Sequence, residues 1–164
     1  MGHTHHWTIK KTLPISVWKK EFEPVAAAIL LEATSQGIVL TFESDSHKPP
    51  LLNRYQFRFN GYGENGCETF RLQRVLGEYG DAGDSCKTAV RPYDKVVLAT
   101  LLFAATQFPA YLTVTCSDID RATANQSLEF LTAVLRRCRM DADDIDTAVT
   151  KCRVLARQLI NRTG

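Results

Sequence analysis

Between Pro92 and Pro109 the chain carries a helix-length run that is apolar on its buried face and on its flanks. Val97, Leu101, Ala104 and Phe108 recur at helical spacing and define one buried face. Val96, Leu98, Leu102 and Phe103, on the flanks, are apolar too. A helix with no polar face is stable only when other elements surround it, so this segment is expected at the centre of the core. No apolar run in the chain approaches the roughly 20 residues that a membrane span needs. The helix is expected to start with Pro92 at its first position and Asp94 two residues on, where an acid suits the helix dipole. Pro109 ends the run.

The elements around it are read from period and punctuation. Residues 3–11 are β-prone and are expected to form a first strand. Pro14 and Ser16 read as a helix start with Ser16 as N-cap, and Trp18, Phe22, Val25 and Ile29 follow as one buried face. Pro24 interrupts that pattern and is expected to kink it, while Gly37 ends the helix. Residues 38–43 make a short strand, and residues 44–50 a polar loop. Tyr55, Phe57 and Phe59 alternate with Gln56 and Arg58, the clearest strand signal in the chain. Gly61, Gly63 and Gly66 then mark a loop, and residues 67–75 return as the second arm of a hairpin.

Residues 77–84 read as a loop, 85–89 as a short strand and 111–116 as another, closed by Ser117 and Asp118. Residues 125–139 form an amphipathic helix through Leu128, Leu131, Leu135 and Cys138. A last helix begins near Asp143 or Asp144 and buries Ile145, Val149, Cys152, Leu155 and Leu159. Its acids come early and Lys151, Arg153, Arg157 and Arg162 late, as the helix dipole favours. The expected fold is α+β: a mixed, largely antiparallel sheet of about five or six strands covered by about four helices. Residues 1–164 form a single domain, with a core over 1–118 and a C-terminal helical pair over 124–162.

A formal net charge of +2 gives no basis for bulk nucleic-acid binding. The five cysteines include no C-x-x-C pair, and their odd number argues against a disulfide framework. A reducing, cytoplasmic location is expected, with no membrane segment and no secretory leader. His3, His5 and His6 resemble a purification tag, but Trp7 and the β-prone context read as native sequence in an ordered strand.

Several constellations bear on chemistry. On a strand His3 and His5 share one face and His6 takes the other, so no three of them meet the ligand count of a zinc site. His3-Thr4-His5 is half of the paired H-x-T/S pattern of two-histidine phosphoesterases, and the second half is absent. The stretch from Gly80 to Thr88 approximates a phosphate-binding P-loop. Cys86 stands where the glycine before lysine is required, and the first glycine is one residue out of register. A simpler anion turn remains: Lys87, Arg91 and the start of the following helix converge on a negative group, with Thr88 or Tyr93 adding a hydroxyl. Cys86 beside Lys87 is a weak nucleophile candidate. Glu68 with Asp118 is a weak carboxylate pair, and Asn60-Gly61-Tyr62-Gly63 is a glycine-flanked candidate ligand loop.

These pieces together resemble an uncharacterised family of bacterial and phage proteins that begin M-G-Y-T-H-Y-W and carry F-N-G-x-G, E-T-F, C-K-T, P-Y-D and a closing S-D. The matching stretches here are 1–7, 59–63, 68–70, 86–88, 92–94 and 117–118. His3 and His6 replace the family's tyrosines, and Ile119 replaces the glycine that follows its S-D. The resemblance brings no activity. It implies that these polar segments belong together around one pocket.

The leading expectation is a non-enzymatic binder of a small phosphorylated or nucleotide-like ligand, with no cofactor. Lys87, Thr88, Arg91 and Tyr93 would hold the anion, Asn60, Glu68 and His5 would read the rest, and Trp7 or Tyr62 would stack. In a phage, such a protein would sequester a nucleotide signal of host immunity in the host cytoplasm. One alternative is a hydrolase or phosphoesterase using His5 or His6 with Glu68 or Asp118. Another is a protein-interaction module using the C-terminal helices. A homo-oligomer is compatible with each.

Overall fold

A computed structural model describes residues 3–77 and 82–163. The sequence reading of Met1, Gly2 and Gly80 lies outside the described residues, as does any role for the Cys116 side chain. In chain order the elements are β1 (Thr4–Ile9), α1 (Ile15–Val17), a π-helical turn (Trp18–Phe22), α2 (Glu23–Ser35), β2 (Leu40–Thr41), β3 (Leu51–Leu52), β4 (Gln56–Gly61), a 3-10 turn (Gly63–Asn65), β5 (Phe70–Gln73), β6 (Ala82–Lys87), α3 (Asp94–Gln107), β7 (Leu112–Ser117), α4 (Arg121–Arg137) and α5 (Ala142–Thr163).

The fold is α+β, with its strands divided between two sheets. One holds three antiparallel strands in the order β6-β1-β7. In the other, β4 pairs antiparallel with β2, β3 and β5. Every strand pairing among the described residues is antiparallel, which agrees with the expected largely antiparallel arrangement, and the strands are shared between two sheets. The sheets meet at Glu68, whose backbone N–H donates to the Lys87 carbonyl at 3.0 Å while its carboxylate accepts the Lys87 N–H at 2.6 Å. The hairpin read from alternating aromatics is β4 with β5, in the register Phe57–Leu72 and Phe59–Phe70.

The all-apolar run is the central helix. From Val96 to Ala104 every residue of α3 is buried, and the helix packs on α4, α5 and β7. Pro24 has no N–H to give, and the helical ladder widens into the π turn just before it, where Glu23 N–H reaches Trp18 O. Ser16 is not a cap. The first helical turn begins at Ile15 after Pro14, with no side-chain capping bond. By contrast α4 starts four residues before its expected position, because the Asp120 side chain accepts the Thr123 N–H at 2.7 Å and caps it.

A file of ring contacts ties the helices to both sheets. Trp18 stacks on Phe22 at 4.2 Å, and Phe22 meets Phe57 edge-on at 6.1 Å. Phe57 then packs on Phe59, Phe59 on Phe70, and Phe70 on Trp7, all at 5.0–5.3 Å. Trp7 thus belongs to the core, and its indole N–H finds no hydrogen-bond partner among the described residues. Among those residues no helix is long and apolar enough to cross a membrane.

Candidate functional site

The site begins with β1, the middle strand of its sheet. Alternation sends His5, Trp7 and Ile9 inward, while His6 stays exposed. In register, His5 lies opposite Cys86 on one side and Ser117 on the other. Its fully buried ring donates from Nε2 to Asp94 Oδ1 at 2.7 Å and places Nδ1 3.1 Å from the Ser117 hydroxyl. His3, on the same face two residues earlier, bonds Asp94 Oδ2 through Nδ1 at 3.0 Å. The Thr88 hydroxyl also donates to Asp94 Oδ1. Burial works to raise the Asp94 pKa. The hydrogen bond and electrostatic attraction of His5, followed by bonds from Thr88 and His3, overcome it and hold the carboxyl below the usual range.

A serine, a histidine and an aspartate in a row invite comparison with a hydrolytic triad, and the comparison fails on access. In such a triad the serine oxygen must meet substrate. Here Ser117 and His5 are 0% exposed and Asp94 4%. The network instead knits β1, β7, the turn after β6 and the start of α3 into one block.

Between Thr88 and Arg91 the backbone turns through an uncommon shape. Ala89 and Val90 both take left-handed conformations, with φ of 52° and 59°. For a β-branched residue this is a genuine outlier, disfavoured by roughly 1–2 kcal/mol. Val90 is also mostly exposed, so its side chain contributes little burial in return. Val90→Gly is therefore expected to stabilise the fold by about 1 kcal/mol, seen as a melting temperature raised by roughly 2–4 °C. A lower melting temperature for that variant would show that the side chain holds the turn.

This turn lines a cleft of about 380 Å³, walled by Gln36, Gly37 and Ile38 at the end of α2, by Val90, Arg91, Pro92, Asp94 and Lys95, and by Thr123 and Gln126 of α4. Arg91 is exposed and Lys95 half-buried. Neither makes an ion pair with a described acid. Asp94 is the one carboxylate on the wall, and its charge is already met by His3, His5 and Thr88.

The residues singled out from sequence fall into three groups. Lys87 and Arg91 are exposed at the ends of the turn. Thr88, Tyr93, Asn60, Trp7 and His5 are buried, and all but Trp7 spend their polar atoms within the protein. The Tyr93 hydroxyl donates to Glu68 O at 2.7 Å. The Asn60 amide donates to Cys67 O and Thr69 Oγ1 and accepts the Cys67 N–H. It thereby staples a loop in which Gly61 is obligatory, because a Cβ there would collide with the Asn65 carbonyl. Tyr62 stands apart beside His47, with ring centroids 5.4 Å apart. Glu68 braces Lys87 from the other sheet. Burial pushes the Cys86 thiol up, with the Glu68 charge adding to it, which removes the thiolate a nucleophile needs.

Lys95, Gln36 and Gln126 were not singled out from the sequence; His3 was weighed only as a metal or phosphoesterase histidine, Ser117 only as part of the closing S-D, and Asp94 as a helix-start acid, a motif residue and a partner for Lys87 or Arg91. The same-face pairing of His3 and His5 was the one sequence signal of a common partner, and both do reach Asp94. Compared with known proteins, the chain matches no family model, no curated protein and no solved structure.

Proposed function

We propose that the protein binds a small anionic ligand, phosphorylated or nucleotide-like, in the cleft beside the Val90–Lys95 turn, and does so without turning it over. The carrying observation is the pairing there of two cations, Arg91 and Lys95, with no described carboxylate to neutralise either. Guanidinium and ammonium groups of this kind make charge-assisted bonds to phosphate oxygens. Gln36, Gln126 and Thr123 add neutral hydrogen-bonding groups around them. The cleft falls within the 300–1,000 Å³ range typical of small-molecule sites. The groups best suited to bond-breaking, His5, Ser117 and Cys86, are buried away from it. In a phage setting, such a binder would sequester a nucleotide signal of host immunity.

Native mass spectrometry of the purified protein, followed by a thermal-shift panel of nucleotides, tests this. A nucleotide should bind intact, raise the melting temperature and persist unhydrolysed. Arg91→Ala with Lys95→Ala should weaken it at least about tenfold, equivalent to roughly 1.4 kcal/mol. Turnover of the ligand, or equal binding by the double variant, would reject the reading.

A further inference from the structure

A larger cleft, about 490 Å³, lies between α4 and α5 on the side of α4 away from Thr123 and Gln126. Arg121 and Asn125 line it from α4, and Arg153, Arg157 and Asn161 from α5, each set at four-residue spacing. Ala124, Leu128, Ala156 and Ile160 give it an apolar floor. No carboxylate lines it, and none of the three arginines makes an ion pair among the described residues. Asp120, next to Arg121, is turned to the Thr123 N–H. Asp146 belongs to a neighbouring depression and stays beyond ion-pair distance of Arg153.

A merely solvated basic face would explain arginines late in α5, where the helix dipole welcomes them. It does not explain Arg121. That residue opens α4, the end at which a cation is disfavoured. Nor does it explain Arg153 and Arg157 one turn apart, since like charges at that spacing repel by a few tenths of a kcal/mol. Charges placed against local stability and facing one another across a cleft point to a ligand that compensates them. The guanidinium fork matches phosphate oxygens two at a time, which a lysine cluster would not do. The volume suits a small molecule rather than a helix or a polymer strand. The floor suits an apolar or planar body.

We propose that the α4–α5 cleft is a second binding site, for a small molecule bearing two or more adjacent phosphates and a planar apolar body, the class of the nucleoside diphosphates and triphosphates. Arg121, Arg153 and Arg157 grip the phosphates, Asn125 and Asn161 bond the remaining polar edges, and Leu128 and Ile160 receive the body. This site shares no lining residue with the Arg91–Lys95 cleft, so each can fail alone.

Calorimetric titration of the full chain with ADP, inorganic tripolyphosphate, inorganic phosphate and a short single-stranded oligonucleotide tests it. ADP and tripolyphosphate should bind at least tenfold more tightly than phosphate, with affinity falling as salt is raised. Arg153→Ala with Arg157→Ala should reduce ADP affinity at least tenfold, whereas Arg91→Ala with Lys95→Ala should leave this binding event in place. Arg91, Arg153 and Arg157 are exposed and Lys95 is half-buried, and an unchanged melting temperature without ligand checks that the variants fold. Arg153→Lys with Arg157→Lys keeps the charge and loses the fork, and should still bind several-fold more weakly. Unchanged ADP binding in the arginine-to-alanine pair, no ADP binding to the parent protein, or preference for the oligonucleotide would each overturn the proposal.

Discussion

Asp94→Ala is expected to remove about 3–5 kcal/mol of stability, the scale seen when one partner of a buried charged network is deleted. The substitution leaves the buried His5 Nε2 and the Thr88 hydroxyl without their shared acceptor, and His3 loses its own. Typical domains hold only 5–15 kcal/mol in all, so equilibrium urea denaturation should show a large fall in midpoint. The pH dependence has a definite sign. The folded-state pKa of Asp94 is depressed, so its contribution is complete above the unfolded value of roughly 3.9. It is lost as pH falls from there through the depressed folded value. Asp94→Asn should therefore lie below the parent protein in stability at neutral pH and converge on it in acid. Curves that stay parallel down to about pH 2 would show that Asp94 is not the acid-sensitive tie.

Phe59→Ala should have an effect of similar size through a different force. Phe59 is 0% exposed and sits mid-file between Phe57 and Phe70, with centroid distances of 5.1 and 5.0 Å. Truncating a buried phenylalanine leaves a cavity and removes ring contacts, at a cost of about 3–5 kcal/mol. At this chain length that lowers the melting temperature by roughly 10 °C or more. Tyr55 supplies the control. It shares the alternation of Phe57 and Phe59 but lies just before β4 begins and is 52% exposed. Tyr55→Ala should change stability by less than about 0.5 kcal/mol. Comparable losses at both positions would mean that the ring file is not what holds the second sheet to the helices.

The contrast between those residues shows how far local pattern reaches. Period-2 alternation identified the inward face of β4, and an all-round apolar run identified α3 as central. Both are properties of a few neighbouring residues and an element's own geometry. Boundaries followed less well, because caps such as Asp120 and the accommodation of Pro24 depend on single side chains. The division into two sheets was not legible at all, since pairing partners are chosen by register and packing far along the chain.

For the candidate site, Lys87 and Arg91 are visible in sequence as cations beside a helix start, and they are exposed as such a role requires. Thr88, Tyr93, Asn60 and His5 look the same as ligand groups and as internal ties, because residue type does not reveal what a polar atom bonds. Only burial separates the two.

By itself the sequence determined that an apolar helix must lie at the centre and that the alternating aromatics of β4 must face inward, because hydrophobic period is local. It also marked the stretch from Cys86 to Asp94 as polar, cationic and helix-initiating. Tertiary structure alone decided that Asp94 is a buried hub rather than a surface acid. Among His3, His5, Thr88, Asp94 and Ser117, the bonded pair His5 and Ser117 is 112 residues apart in sequence, and the group meets only because β1 lies between β6 and β7. The docking of helices likewise set Arg121, Arg153 and Arg157 around one cleft. Charge patterns along either helix do not encode that juxtaposition, which arises from the packing of α4 on α5.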